Sequence, residues 1–190
     1  MQLLEERILK DGRVYAGDVL KVDSFLNHRM DVDFLCLLGQ EFYRLYQDCG
    51  VNKILTIEAS GIGIACLTAQ FFHCPVVFAK KSKSSNLSDK VWVSSVHSYT
   101  HNTDHSVLVS KSFLGEGDRV LIIDDFLANG SACNALIHLC EQAGAEVVGL
   151  GIAVEKAYQD GGKQLRARGV RVESLARVMS MSVEDGIRFC

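Results

Sequence analysis

Two adjacent carboxylates followed by a turn of small residues stand out in "RVLIIDDFLANGSA", residues 119–132. Asp124 and Asp125 close an apolar run, where mutual repulsion and desolvation both oppose two charges. Ala128, Asn129, Gly130, Ser131 and Ala132 come next. Gly130 permits positive φ, and the lack of bulk lets an anion approach the backbone. The free N–H groups and dipole of a helix starting there favour phosphate. Ser131 can donate its hydroxyl to the anion or cap the helix. A carboxylate pair accepts hydrogen bonds from a sugar diol. The segment therefore offers a phosphate cradle beside a diol clamp, spaced for a ribose 5-phosphate. Two other readings fit the same residues: a strand-to-helix turn whose acids cap local N–H groups, and a metal site built on the acid pair.

Such residues need a frame. From residue 52 onward, apolar runs bounded by turn residues alternate with helical patterns. "NKILTIE" (52–58), "CPVVFAKK" (74–81), "HSVLVS" (105–110), "DRVLIID" (118–124), "EVVGLGIAVEK" (146–156) and "RVESLARV" (171–178) read as strands. Helices are predicted from "ASGIG" to His73 and over "SACNALIHLCEQAGA", with Gly144 just past the second. Continuous apolar strands belong to an α/β fold, a mostly parallel sheet flanked by helices. Ligands in such folds sit beyond the carboxyl ends of the strands. Three strand ends are then informative: "IEASGIG", "FAKKSK" and "IDDFLANGSA". Upstream, residues 2–10 read as an amphipathic helix ended by Gly12, not as a signal peptide. In 31–50, Phe34, Leu35, Leu38, Phe42 and Leu45 share a helical face, with Gly50 as the stop. One domain, 1–190, is expected, with a core of about 51–156 and a hood formed by about 1–50 and 157–190.

Composition narrows the function classes. A net charge of −3 over 190 residues gives no basic field for nucleic acid or acidic membranes. No apolar run approaches the roughly 20 residues of a membrane helix. Seven cysteines form no C-x-x-C, and an odd count closes no disulfide framework, so they read as buried free thiols in a reducing, cytoplasmic setting.

The acid pair and its cradle resemble the phosphoribosyl pyrophosphate (PRPP) motif of type I phosphoribosyltransferases. "LKVDSFLNH", "VLIIDDFLANG", "GLGIAVEK" and "RVESLAR" are closer still to the bacterial purine members that act on xanthine, and they are spread from residue 20 to 177. The resemblance implies that Asp124 and Asp125 bind the ribose hydroxyls and that Ala128–Ala132 hold the 5-phosphate. It also implies that Ser60 and Gly61, in "EASGIG", lie against the pyrophosphate. Lys80 and Lys81 resemble basic residues that reach pyrophosphate, sometimes in the neighbouring subunit. Base recognition falls to Leu20 through its backbone and to the side chains of Asn27 and Lys156, with Phe25 shaping the pocket. An ammonium suits the carbonyl oxygens of a dioxopurine, and adenine would set an amino donor against it. Mg²⁺ held mainly by PRPP, near Asp124 and Asp125, a homodimer, and transfer of the phosphoribosyl group to N9 of xanthine are likewise implied. Where hypoxanthine–guanine members have a third acid, this chain has Ala128, which points away from a general base within the motif. Residues 82–90 and the segment after them, to about 105, are the lid candidates.

His97, His101 and His105 recur every four residues, but their β-rich flanks argue against a helical metal site and for an exposed loop between strands. Trp92, Tyr99 and Phe113 read as packing residues. A PRPP-sensing regulator on the same fold, and a guanine or hypoxanthine enzyme, remain the alternatives. The regulator would want a basic DNA-binding appendage.

Overall fold

The computed structural model describes residues 1–82, 90–98 and 103–190. Most of the lid candidate 82–90, together with Tyr99 and His101, lies outside them. The chain opens with α1 (Gln2–Asp11) and a short antiparallel hairpin, β1 (Arg13–Tyr15) and β2 (Val19–Lys21). A π-helical turn, Asp23–Asn27, leads to α2 (Val32–Tyr46). Asp31 caps that helix by accepting from the Phe34 N–H at 3.3 Å, and Gly50 ends the segment at φ 63°.

The main sheet then builds up from β3 (Lys53–Ile57), α3 (Gly61–Phe72), β4 (Val76–Ser82), β5 (Val91–Ser98), β6 (Thr103–Ser110), β7 (Arg119–Leu127), α4 (Ser131–Ala143), β8 (Glu146–Lys156), α5 (Gly161–Ala167), β9 (Val172–Ser182) and β10 (Gly186–Phe189). The strand order is β10-β9-β8-β7-β3-β4-β6-β5. The five strands from β9 to β4 are parallel, and the outer pairs at both ends are antiparallel. Successive residues of the central strands feed opposite layers. Ile54, Leu121 and Ile123 join the core beneath α1, α2 and α3, while Leu55, Val120 and Ile122 join the core beneath α4. That two-sided burial is why these strands are apolar at every position.

Several expectations change. Segment 157–190 supplies two strands and a helix to the sheet layer, because β9 pairs in parallel with β8 through residues 172–178. The hairpin, the π-helical turn, α5 and β10 carry too short a pattern to be read from sequence. His97 and His105 lie on paired strands, opposite Asp104 and Val96. Phe113 is 61% exposed rather than packed, whereas Trp92 donates to the Leu114 carbonyl at 2.9 Å and lies against the core. All seven cysteines are free, but only Cys133 and Cys140 are buried, and Cys66 and Cys190 are exposed. No helix among the described residues is long and apolar enough to cross a membrane.

Candidate active site

The strand order reverses direction between β3 and β7. From β3 the chain crosses over α3 to β4 on one side, and from β7 it crosses over α4 to β8 on the other. The crevice at such a reversal is where open α/β sheets bind ligands. Both turns expected to handle phosphate sit there.

Asp124 and Asp125 are still strand residues, because β7 continues to Leu127 and Asp124 registers with Ile152 of β8. Asp124 is 4% exposed. Burial, then the neighbouring charge of Asp125, pushes its carboxyl well above the usual range, and Lys81 pulls the other way. Asp124 Oδ1 accepts from the Asp125 N–H at 2.9 Å. Asp125 Oδ1 accepts from the Phe126 N–H at 3.0 Å. Asp125 Oδ2 accepts from Asn27 Nδ2 at 3.2 Å, across 98 positions of sequence. Asp125 is thus bonded at both oxygens by groups of the chain itself.

The cradle begins one turn later. Gly130 adopts φ 85° at the start of α4, and the Asn129 side chain accepts from the Ser131 N–H at 3.0 Å. Ser131 is the first residue of α4, which puts a hydroxyl donor beside the first N–H groups of the helix. Behind the cradle, the Gly161 N–H donates to the Ala128 carbonyl at 3.2 Å. A Cβ at Gly161 would collide with the backbone of Ala128, Asn129 and Gly130. Only glycine lets α5 support the cradle this closely.

The turn after β3 comes in from the other side. Gly61 starts α3, and a Cβ there would strike Thr56 Oγ1 and sit 3.1 Å from Asp124 Oδ1. The Glu58–Ala59 peptide is cis. Glu58 accepts from the Lys81 N–H at 2.5 Å, which ties β4 to this turn. Lys80 and Lys81 are both exposed, and Lys80 Nζ lies 5.9 Å from the Phe78 ring centroid.

Beside the acid pair opens a cleft of about 630 Å³, a normal size for a small-molecule site. Leu20, Asn27, Lys156, Ala128 and Asn129 line it, all candidates from the sequence. Lys156 Nζ donates to the Asp18 carbonyl at 2.5 Å, so the ammonium is aimed from the end of β8 across to the hairpin. Burial lowers its pKa, and Asp18 partly opposes that. Phe25 does not line the cleft: it is fully buried, edge-on to Phe34 at 5.7 Å and beneath Arg7. The aromatic lining residue is Phe126. Phe126 and Ala128 follow Asp124 at two-residue intervals, so a longer strand reading would have placed all three on one face. Gln159 and the hairpin residues Gly17, Asp18 and Val19 complete the lining and have no distinctive local signal. Among the described residues, no three His, Cys, Asp or Glu side chains gather as a metal set. An ion at the acid pair would draw most of its ligands from a bound molecule.

Residues 42–174 match the family model described as a phosphoribosyl transferase domain. The chain belongs to the phosphoribosyltransferase family. A relative from Lachnoclostridium phytofermentans, named xanthine phosphoribosyltransferase, is 56% identical over 98% of this chain and 96% of its own. One from Clostridium perfringens, named xanthine phosphoribosyltransferase 1, is 57% identical over 93% of each. An adenine phosphoribosyltransferase from Rhodothermus marinus has the same fold at 24% identity, with a TM-score of 0.76 over 93% of this chain and 99% of that one. As a phosphoribosyltransferase, the chain has the expected mostly parallel sheet with its acid pair at the reversal point.

Beneath the lysine lies a buried ionic knot that no local spacing reveals, although Glu155, Ser174 and Arg177 fall within "GLGIAVEK" and "RVESLAR". Glu155 is 2% exposed and is held by Arg166 through two bonds of 2.7 Å, by Ser174 at 2.6 Å and by Arg177 at 3.2 Å. Burial pushes its pKa up, but the bonds from Arg166 and Ser174 prevail and hold the carboxyl below its ordinary range. The knot joins β8, α5 and β9 just below Lys156. Its partners are far apart in sequence, so no local pattern announces it.

Proposed function

We propose that the chain transfers the 5-phosphoribosyl group of PRPP to N9 of xanthine, giving XMP and pyrophosphate. The observation that carries this reading is one cleft in which Asn27 and Lys156 stand beside the acid pair and its phosphate cradle. The relatives named xanthine phosphoribosyltransferase support it across nearly the full chain.

In this reading the cradle from Ala128 to Ala132 receives the 5-phosphate on the first N–H groups of α4 and the Ser131 hydroxyl. Asp124 and Asp125 take the ribose hydroxyls. Ser60 and Gly61 face the pyrophosphate, with Lys80 and Lys81 as nearby cations. The purine lies under Leu20 and against Phe126, and Lys156 and Asn27 address its polar edge. N9 attacks C1 of the ribose as the bond from C1 to pyrophosphate breaks, and the N9 proton passes to a pyrophosphate oxygen or to solvent. The acid pair offsets the positive charge that develops on the ribose ring. Ala128 places no carboxylate near N9, so the residues act by orientation and charge rather than as a general base. Mg²⁺ would be held mainly by PRPP, with Asp124 and Asp125 nearby, and would neutralise charge on the leaving group.

The same reading makes the chain one domain of 1–190 and a cytoplasmic purine-salvage enzyme, to which its seven free thiols are suited. It also makes the chain a homodimer in which Lys80 and Lys81 serve a shared site. The test is pyrophosphate release from PRPP with Mg²⁺ and xanthine. Release matched by XMP formation is expected. PRPP binding without base-dependent release would favour a sensing module and contradict the proposal.

A further inference from the structure

Asn27 has an unusual hydrogen-bond balance. Its Nδ2 donates to Asp125 Oδ2 at 3.2 Å, while its Oδ1 is buried without a partner among the described residues. The amide orientation follows from chemistry, since the reverse would set its oxygen against a carboxylate oxygen. Asn27 ends the π-helical turn 23–27 and lines the cleft assigned to the base. The other bonds on the acid pair come from the pair's own strand, from the N–H groups of Asp125 and Phe126. Asn27 therefore gives the diol clamp a tie from outside β7, and that tie starts in the base site.

We infer that Asn27 is a positioning residue that couples the two substrates: it sets the Asp125 carboxylate for the ribose, and a base N–H donor reaching Oδ1 fixes the amide that does so. The inference rests on the phosphoribosyltransferase reading of the cleft. An unpartnered buried acceptor is costly, and a base that presents N–H to it removes that cost. A filled base site holds the amide against Asp125 and so steadies the clamp on the ribose. Linkage makes the effect reciprocal, so PRPP that orders Asp125 tightens the base by the same factor. A residue that only recognised the base would leave PRPP binding unchanged when no base is present.

The test is calorimetric titration of Mg²⁺-PRPP into the base-free protein, comparing wild type with Asn27→Ala and Asn27→Asp. Loss of one hydrogen bond to a charged group predicts roughly ten- to hundredfold weaker PRPP binding for Asn27→Ala. Asn27→Asp keeps the shape but sets a carboxylate against Asp125, and it should bind PRPP more weakly still. Thermal melts check that both variants are folded. Asp125→Ala supplies a second reading that needs neither variant: without PRPP, it should bind 9-deazaxanthine, which has carbon at the reacting position, severalfold more weakly than wild type. Wild-type affinity for PRPP in both Asn27 variants, or an unchanged affinity for the deaza base in Asp125→Ala, overturns the coupling and leaves the transferase reading standing. Failure of the wild type itself to bind Mg²⁺-PRPP overturns that reading and the coupling with it.

Discussion

Asp124 is the residue whose environment opposes its charge most strongly. Its carboxyl is buried against a second acid, and both effects raise its folded pKa above the ordinary carboxylate range. A group raised in this way favours the native state most below its unfolded pKa and loses that contribution as pH rises through the folded value. Asp124 should therefore contribute a fall in thermal stability as pH rises out of the ordinary carboxylate range, opposite in sign to the contribution of Glu155. Asp124→Asn should flatten that fall and raise the neutral-pH Tm, while PRPP turnover drops. Melting curves from acid to neutral pH check it, and parallel slopes in the two proteins would contradict it. Asp125, held at both oxygens, should behave differently: Asp125→Asn should weaken PRPP use far more than it lowers Tm. Lys156 makes the third residue-scale case. Lys156→Met keeps length and apolar stem but removes the donor, and kcat/KM for xanthine should fall by about 10²-fold. An equal loss with every purine would show that the lysine is not choosing among bases. The residue types and spacing of 124–132 make this half of the site legible in the sequence alone. Phe25 is not legible in that way. It neighbours Asn27 in sequence but not in the cleft, because the π-helical turn directs its ring into the core.

Elements decide whether those residues meet. The cradle rests on Gly161 at the start of α5, and Glu155 pins α5 to β8 and β9 from beneath. Gly161→Ala must displace the Ala128–Gly130 backbone, and a shift approaching 1 Å in a phosphate site predicts a large rise in PRPP KM, on the order of tenfold or more. The xanthine KM should change much less. Steady-state kinetics with each substrate varied in turn separate the two. Glu155→Gln removes a charge from a knot whose arginines are partly solvated, so it should cost about 1–3 kcal/mol of stability while retaining most of kcat at low temperature. The strands of the central sheet are legible because two-sided burial leaves a continuous apolar trace. The β1–β2 hairpin, α5 and the Glu155 knot are not, because each is short and draws its stability from partners distant in the chain.

At the scale of the whole molecule, the proposed function gives phosphate and ribose to the ends of the sheet strands and the base to a few side chains above them. The reversal between β3 and β7 brings the Gly61 turn and the acid pair together. An adenine phosphoribosyltransferase with 24% identity shares the fold. In the present account the choice of purine rests with Lys156, aimed from β8 and steadied by Asp18, and with Asn27, tied to the clamp. The most direct measurement is a one-pot competition: purified protein, Mg²⁺ and limiting PRPP with equimolar xanthine, guanine, hypoxanthine and adenine, and the nucleotide products resolved by chromatography. The account predicts XMP as the dominant product with an equal amount of pyrophosphate. Dominant GMP, IMP or AMP would contradict it.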